Sequence, residues 1–291
     1  MQEDPRTAGP KPPFPPQGQE PPGLEKEMRP RPDYGEDSYV GSGRLEGRRA
    51  VITGGDSGIG RAVALAFARE GADVLISYLA EEQPDADEIS EQIEQAGRKC
   101  VLAPGDIGSE EHCRSLIERA VSELGGIDIL VNNAAFQRTH ESIEELTAGE
   151  LERTFRTNIF AMFYLCKAAL PKMRPGSAII NTASIQAYDP SPTLLAYATT
   201  KGAIVTFTKA LSDEAIKSGV RVNCVAPGPI WTALIPSTMP EDSVKEFGAD
   251  TPVGRAGQPA ELAPVYVFLA SNESSYITGE VIGVTGGKPL G

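Results

Sequence analysis

A chain of 291 residues is long enough for one large α/β domain or two small ones. Its hydrophobic share of 40% is normal for a globular protein, and its net charge of -13 makes nucleic acid and anionic membrane poor partners. An apolar run of about 18 residues is absent, as is the apolar core of a secretory signal, so neither a transmembrane helix nor export is expected and a cytoplasmic location follows.

Residues 1–44 differ from the rest. Ten of the 24 prolines fall within residues 1–32. Such a segment cannot build a packed core and is expected to run extended or disordered. Phe14, Tyr34 and Tyr39 are candidate anchors. Residues 1–19 read as a loose tail. For residues 20–44 a loose tail and an arm across the domain or a neighbouring subunit stay open.

From Leu45 to Gly291 short β-branched runs alternate with helical patterns. Ala50–Thr53 reads as a strand, Gly58–Glu70 as a helix and Val74–Tyr78 as a second strand. Helix over Asp85–Ala96, strand over Cys100–Ala103 and helix over Ser109–Leu124 follow, with Ser109 as N-cap. Ile127–Val131 is the fourth strand, and a long helix covers about Ala148–Leu170. Strands at Ala178–Thr182, Val220–Val225 and Val281–Val284 alternate with helices at Ala196–Ser218 and Pro259–Ala270. Strands that are apolar throughout, separated by helices, predict one Rossmann-type α/β domain with a doubly wound parallel sheet of about seven strands and a crevice at its switch point. Residues 230–255 lack periodicity and read as a substrate lid.

Cys100, Cys113, Cys166 and Cys224 are scattered, without a C-x-x-C pair, and read as reduced, buried thiols. His112 and His140 have no ligand-like company, so no catalytic metal is expected.

Three glycines, Gly54, Gly58 and Gly60, stand between the first strand and its helix. The run Thr53-Gly54-Gly55-Asp56-Ser57-Gly58-Ile59-Gly60 allows a tight turn and lets backbone approach a pyrophosphate at the helix N-terminus. The choice between NAD and NADP is set after the second strand, where an acidic residue would hold a ribose 2′-hydroxyl. No Asp or Glu stands at that position. Ser77 and Tyr78 can hydrogen-bond a phosphate, with Arg61 near, which favours NADP; Glu81 and Glu82 leave NAD open.

Hydride transfer to a carbonyl leaves an alkoxide that needs a proton. A phenol with a pKa of roughly 10 exchanges poorly near neutral pH, and a nearby ammonium lowers that value. Tyr197 and Lys201 are four apart and share one helix face. Lys201 is also within reach of ribose hydroxyls. Ser184, after the fifth strand, can orient the substrate oxygen, although a serine at a strand end is commonly a turn residue. Asn158 sits inside a helix, where an amide is unfavourable without a partner. Gln186, Tyr188, Leu194 and Trp231 are candidates for the substrate pocket. Arg138 reads either as an anion ligand or as a solvated arginine.

The glycine turn, Asn132-Asn133-Ala134-Ala135, Asn158, Ser184, Tyr197 with Lys201, and Pro227-Gly228 together resemble the short-chain dehydrogenase/reductase family, over about Leu45 to Gly291. Ala135 departs from the family's more frequent Gly. Pro32-Asp33-Tyr34-Gly35 and Ser42-Gly43-Arg44-Leu45 resemble a bacterial general-stress or aldehyde-reductase-like subgroup. The resemblance implies an NAD(P)-dependent oxidoreductase acting on carbonyl or alcohol groups, with Tyr197 as acid/base, Lys201 as activator, Ser184 as carbonyl positioner and Asn158 holding a relay water. It implies adenine contacts from Asp106-Ile107, cofactor contacts from Asn132, Ala134, Pro227, Gly228 and Ile230, and a carboxamide contact from Thr232. It also implies a homotetramer paired through faces carrying Phe160, Phe163 and Phe207. Two rival readings are an NAD-dependent sugar or polyol dehydrogenase and a non-catalytic cofactor sensor or scaffold.

Overall fold

The structure is a computed structural model and describes residues 4–291. Seven parallel strands form one sheet in the order β3-β2-β1-β4-β5-β6-β7. They are β1 Arg49–Thr53, β2 Asp73–Tyr78, β3 Cys100–Pro104, β4 Ile127–Asn132, β5 Met173–Thr182, β6 Arg221–Pro227 and β7 Val281–Val284. The central strands are buried on both faces, which is why their sequences are apolar without alternation. Helices α1 Gly58–Arg69, α2 Gln83–Gln95 and α9 Pro259–Ala270 cover one face, where Ile52, Ile76, Phe67 and Leu262 share a core. Helices α3 Glu110–Arg119, α4 Ala148–Phe155, α5 Ala161–Ala169 and α6 Leu195–Ala215 lie on the other, around Leu75, Leu130, Leu116 and Leu165.

Four elements differ from their sequence expectation. The helix expected over 148–170 is interrupted by a π turn, Arg156–Phe160, and a second π turn, Ala120–Leu124, ends the third helix. β5 starts at Met173 rather than Ala178, because Ile127 pairs with Met173 before the register shifts and Ile129 pairs with Ala178. The turn-like Arg174-Pro175-Gly176 hides that start. The lid segment folds into two short helices, α7 Leu234–Thr238 and α8 Glu241–Lys245.

The arm also departs from expectation. Residues 1–3 lie outside the described residues, but residues 4–19, although largely exposed, are fastened to the domain at Phe14 and by main-chain contacts. Phe14 is buried and stacks on Trp231 with ring centroids 4.0 Å apart. Its amide donates to Lys245 O at 2.8 Å, and Arg255 Nε donates to Pro5 O at 2.9 Å. Tyr34 and Met28 are buried as well. A proline-rich chain loses little conformational freedom on ordering, so a few apolar anchors are enough to hold it. Arg44 and Tyr39 clamp Glu70 at the end of α1, with Arg44 Nη2 2.6 Å and Tyr39 Oη 2.6 Å from Glu70 Oε1.

Candidate active site

β1 ends at Thr53 and the chain turns into α1. Gly54 has φ +61°, and a Cβ on Gly60 would lie 1.8 Å from Gly54 O, so the turn closes only with hydrogen at both positions. Thr53 Oγ1 accepts from the amides of Asn133 at 3.0 Å and Ala134 at 3.1 Å. Asn133 Nδ2 donates to Thr53 O at 3.1 Å. The turns after β1 and β4 are therefore fastened together at the point where strand order reverses.

A cleft of about 540 Å³ opens there. Its walls include Gly54, Ser57, Gly58 and Ile59 of the glycine turn, Ser77 and Tyr78 of β2, and Asp106 and Ile107 after β3. Ala134, Tyr197, Lys201, Pro227, Gly228, Ile230 and Thr232 complete the expected cofactor wall. Thr53, Asp56, Gly60 and Asn132 stand behind it and do not line it. Thr53 and Gly60 shape the turn. Asn132 Nδ2 donates to Asn181 Oδ1 at 2.8 Å and joins β4 to β5. The turn points Asp56 inward, where both carboxylate oxygens are buried without a partner. Burial, with the charge of Glu82 adding to it, pushes the Asp56 carboxyl well above the usual carboxylate range.

The residues fit a dinucleotide. The glycine cradle leaves no room for side chains, α1 presents its N-terminus, and the buried Ser77 Oγ on the cleft wall has no protein partner. Tyr78 Oη donates to Gln83 Oε1 at 2.8 Å. Glu82 also lines the cleft; burial pushes its carboxyl up to about 7 although Leu79 N donates to it. Arg61 does not reach this wall. Its guanidinium lies under the arm, 4.4 Å over the Tyr34 ring and 2.9 Å from Glu88 Oε1.

Tyr197 and Lys201 project from α6 toward the end of β5. Tyr197 is partly exposed to the cleft and Lys201 is buried. Lys201 Nζ stands 5.1 Å over the Tyr197 ring and donates to Thr182 O at 2.8 Å. The sequence led us to expect a depressed tyrosine. The structure has the opposite direction: burial pushes the Tyr197 phenol up to about 12, with only a hydrogen bond to Ser184 opposing it. Burial likewise brings Lys201 down to about 8, against the pull of Cys224. The ammonium is engaged by a main-chain carbonyl and lies over the ring, and desolvation dominates both shifts. Ser184 borders the cleft and its Oγ also accepts from Gln186 N at 3.2 Å.

Asn158 lies in the π turn. Its Oδ1 accepts from Phe136 N at 2.8 Å, and its Nδ2 donates to Phe136 O at 2.9 Å and to Thr200 Oγ1 at 3.0 Å. The side chain is thus spent on the loop after β4 and on α6. Thr182 and Thr200 were not singled out by the sequence. Their signal was position alone, directly beside Ser184 and Lys201.

At the substrate end, Gln186 and Leu194 line the cleft, whereas Tyr188 and Trp231 do not. Tyr188 caps the short turn Ile185–Ala187, which carries it past the wall. Trp231 is fully buried beneath Phe14, its Nε1 donating to Pro30 O at 2.9 Å. Leu234, Ser237, Met239 and Phe247 of the lid take that place, together with Pro21 and Pro22 of the arm. Phe136 and Gln137 line the cleft, but Arg138 lies outside it and pairs with Glu150 at 3.5 Å. Among the described residues no cluster of His, Cys, Asp and Glu is arranged to hold a metal ion, and no helix is long and apolar enough to cross a membrane.

A family model described as enoyl-(acyl carrier protein) reductase matches residues 54–288. General stress protein 39 of Bacillus subtilis is 54% identical over 92% of this chain and 93% of that protein. The chloroplastic NADPH-dependent aldehyde reductase 1 of Arabidopsis thaliana is 47% identical over 91% of this chain and 94% of that protein. A short-chain dehydrogenase from Burkholderia cenocepacia, solved in complex with NADP, superposes with a TM-score of 0.79 at 30% identity, covering 84% of this chain and 98% of that one. The sequence match, the seven-stranded sheet and the convergence of Ser184, Tyr197 and Lys201 agree, and the chain belongs to the short-chain dehydrogenase/reductase family of NAD(P)-dependent oxidoreductases.

Proposed function

We propose that the protein reduces aldehydes or ketones, NADPH being the preferred reductant. The observation that carries this reading is the phenol of Tyr197, open to the same cleft that Ser184 lines, with the Lys201 ammonium behind it. A bound nicotinamide supplies the hydride. The phenol is neutral at physiological pH and gives its proton to the carbonyl oxygen as negative charge develops there. Ser184 Oγ holds that oxygen. Lys201, fixed to Thr182 O, keeps positive charge beneath the phenolate that forms. Asn158 positions Phe136 and Thr200, and we assign any relay water to its main-chain carbonyl, since its side chain is fully engaged.

The cofactor preference rests on Ser77 and Tyr78, which end β2 in place of an Asp or Glu, and the similar plant enzyme named for NADPH supports it. Glu82 on the same wall favours some use of NADH. Phe160 and Phe163 are exposed on the π turn and α5, with Phe163 edge-on to Phe207 at 4.5 Å; we read this face as the contact of a homotetramer. The experiment is oxidation of NADPH and of NADH against a panel of aldehydes, ketones and sugars. Faster oxidation of NADPH with aldehydes supports the proposal. Turnover of sugars with NAD alone replaces it with the polyol dehydrogenase reading.

A further inference from the structure

The arm reaches the cleft itself. Pro21 and Pro22 form part of its wall beside Leu234 and Ser237. Ser237 Oγ lies 3.3 Å from Pro22 O, Gln19 N donates to Pro236 O at 2.9 Å, and Trp231 Nε1 donates to Pro30 O. The lid is therefore held from its outer side by a segment two hundred residues away in sequence.

Glu25 goes further. Its side chain is fully buried, and Oε1 accepts from Gly58 N at 2.8 Å, the first amide of α1. Oε2 of the same carboxyl is buried and makes no hydrogen bond. Its own amide donates to Asp85 Oδ2 on α2 at 2.8 Å. One arm residue thus joins the glycine turn to α2, in the same segment whose Gln19, Pro22 and Pro30 hold the lid. Burial pushes its carboxyl up to about 8, against the nearby Arg61 charge. At neutral pH it accepts as an uncharged acid and sets no full negative charge beside the phosphates that such a helix mouth holds.

We propose that the arm is a working part of the active site, with Glu25 a positioning residue that fixes the glycine turn to the lid-holding arm and Pro21–Pro22 a wall of the cleft. The proposal rests on the reading of the cleft as a nicotinamide site. The test uses the full-length protein carrying Glu25→Ala or Glu25→Gln, titrated with NADPH in the absence of substrate, with melting temperatures recorded without cofactor. Glu25→Gln keeps an acceptor oxygen and the neutral form, so it is expected to bind like wild type. Glu25→Ala leaves Gly58 N–H unpaired and is expected to weaken NADPH binding about tenfold. Hydrogen exchange on the wild type adds a readout that mere structural support would not move: NADPH is expected to protect residues 21–30 together with 231–238. If Glu25→Ala does not fold, Phe14→Ala, which removes only the stack on Trp231, is expected to weaken NADPH binding in the same direction. NADPH affinity unchanged in the folded variant, or protection of the lid without the arm, overturns the proposal. A wild type that binds neither NADPH nor NADH overturns the nicotinamide reading and the proposal with it.

Discussion

Lys201 Nζ donates a 2.8 Å hydrogen bond to the main-chain oxygen of Thr182, the last residue of β5. Ser184 follows two residues later, so one bond sets the distance between the helix that carries the proton donor and the strand end that carries the carbonyl positioner. The same bond holds the ammonium 5.1 Å from the centre of the Tyr197 ring.

This geometry gives a pH dependence. Lys201 is brought down to about 8 by burial, so its charge is present below that value and lost above it. The rate of carbonyl reduction is expected to fall as pH rises through about 8, and Lys201→Met is expected to lower the rate and remove that limb. The linkage sign for stability is opposite: between about 8 and the ordinary value of 10.5 the unfolded chain binds more protons, so stability gains with pH there. A wild-type rate that stays flat beyond pH 8 contradicts the assignment.

Glu70 anchors the arm to α1. Burial works against its charge, but hydrogen bonds from Arg44, Tyr39 and Ser42 outweigh it and hold the carboxyl at about 2. Its folded pKa lies below its unfolded one, so the contribution is complete above the ordinary value of 4.5 and disappears as pH falls through about 2. Glu70→Gln is expected to cost about 2 kcal/mol at neutral pH by urea unfolding, and much less near pH 2. An equal loss at both pH values would count against this account.

Gly60→Ala places a methyl 1.8 Å from Gly54 O and must open the turn. Loss of NADPH binding in a protein that keeps its far-ultraviolet dichroism is the expected result. Wild-type affinity would show that the turn does not hold the cofactor.

Phe163→Glu puts a charge on the apolar face shared with Phe207. Light scattering is expected to find a tetramer for the wild type and smaller species for the variant. A wild-type species at the monomer's 30.9 kDa sinks the assembly proposal.

Much of the fold was legible because buried parallel strands announce themselves as unbroken apolar runs. α9 and β7 fall on their expected residues, Pro259–Ala270 and Val281–Val284. Tyr197 and Lys201 were legible because a four-residue helical spacing fixes a shared face. What sequence hid was decided by contacts between distant residues. Trp231 reads as a pocket residue until Phe14 is seen to cover it. Arg61 reads as a phosphate ligand until Tyr34 and Glu88 enclose it. Tyr197 was expected to be depressed by its neighbouring lysine, but burial raises it and only Ser184 works against that. The role of Glu25 had no local signal at all, since its partners Gly58 and Asp85 lie in other elements.

The most direct test of the central claim is to measure NADPH binding and aldehyde reduction side by side for the wild type and Tyr197→Phe. The account predicts unchanged NADPH affinity with turnover reduced by about a hundredfold or more, because only the proton donor is lost. Turnover close to wild type in Tyr197→Phe would contradict it and remove Tyr197 from the chemistry.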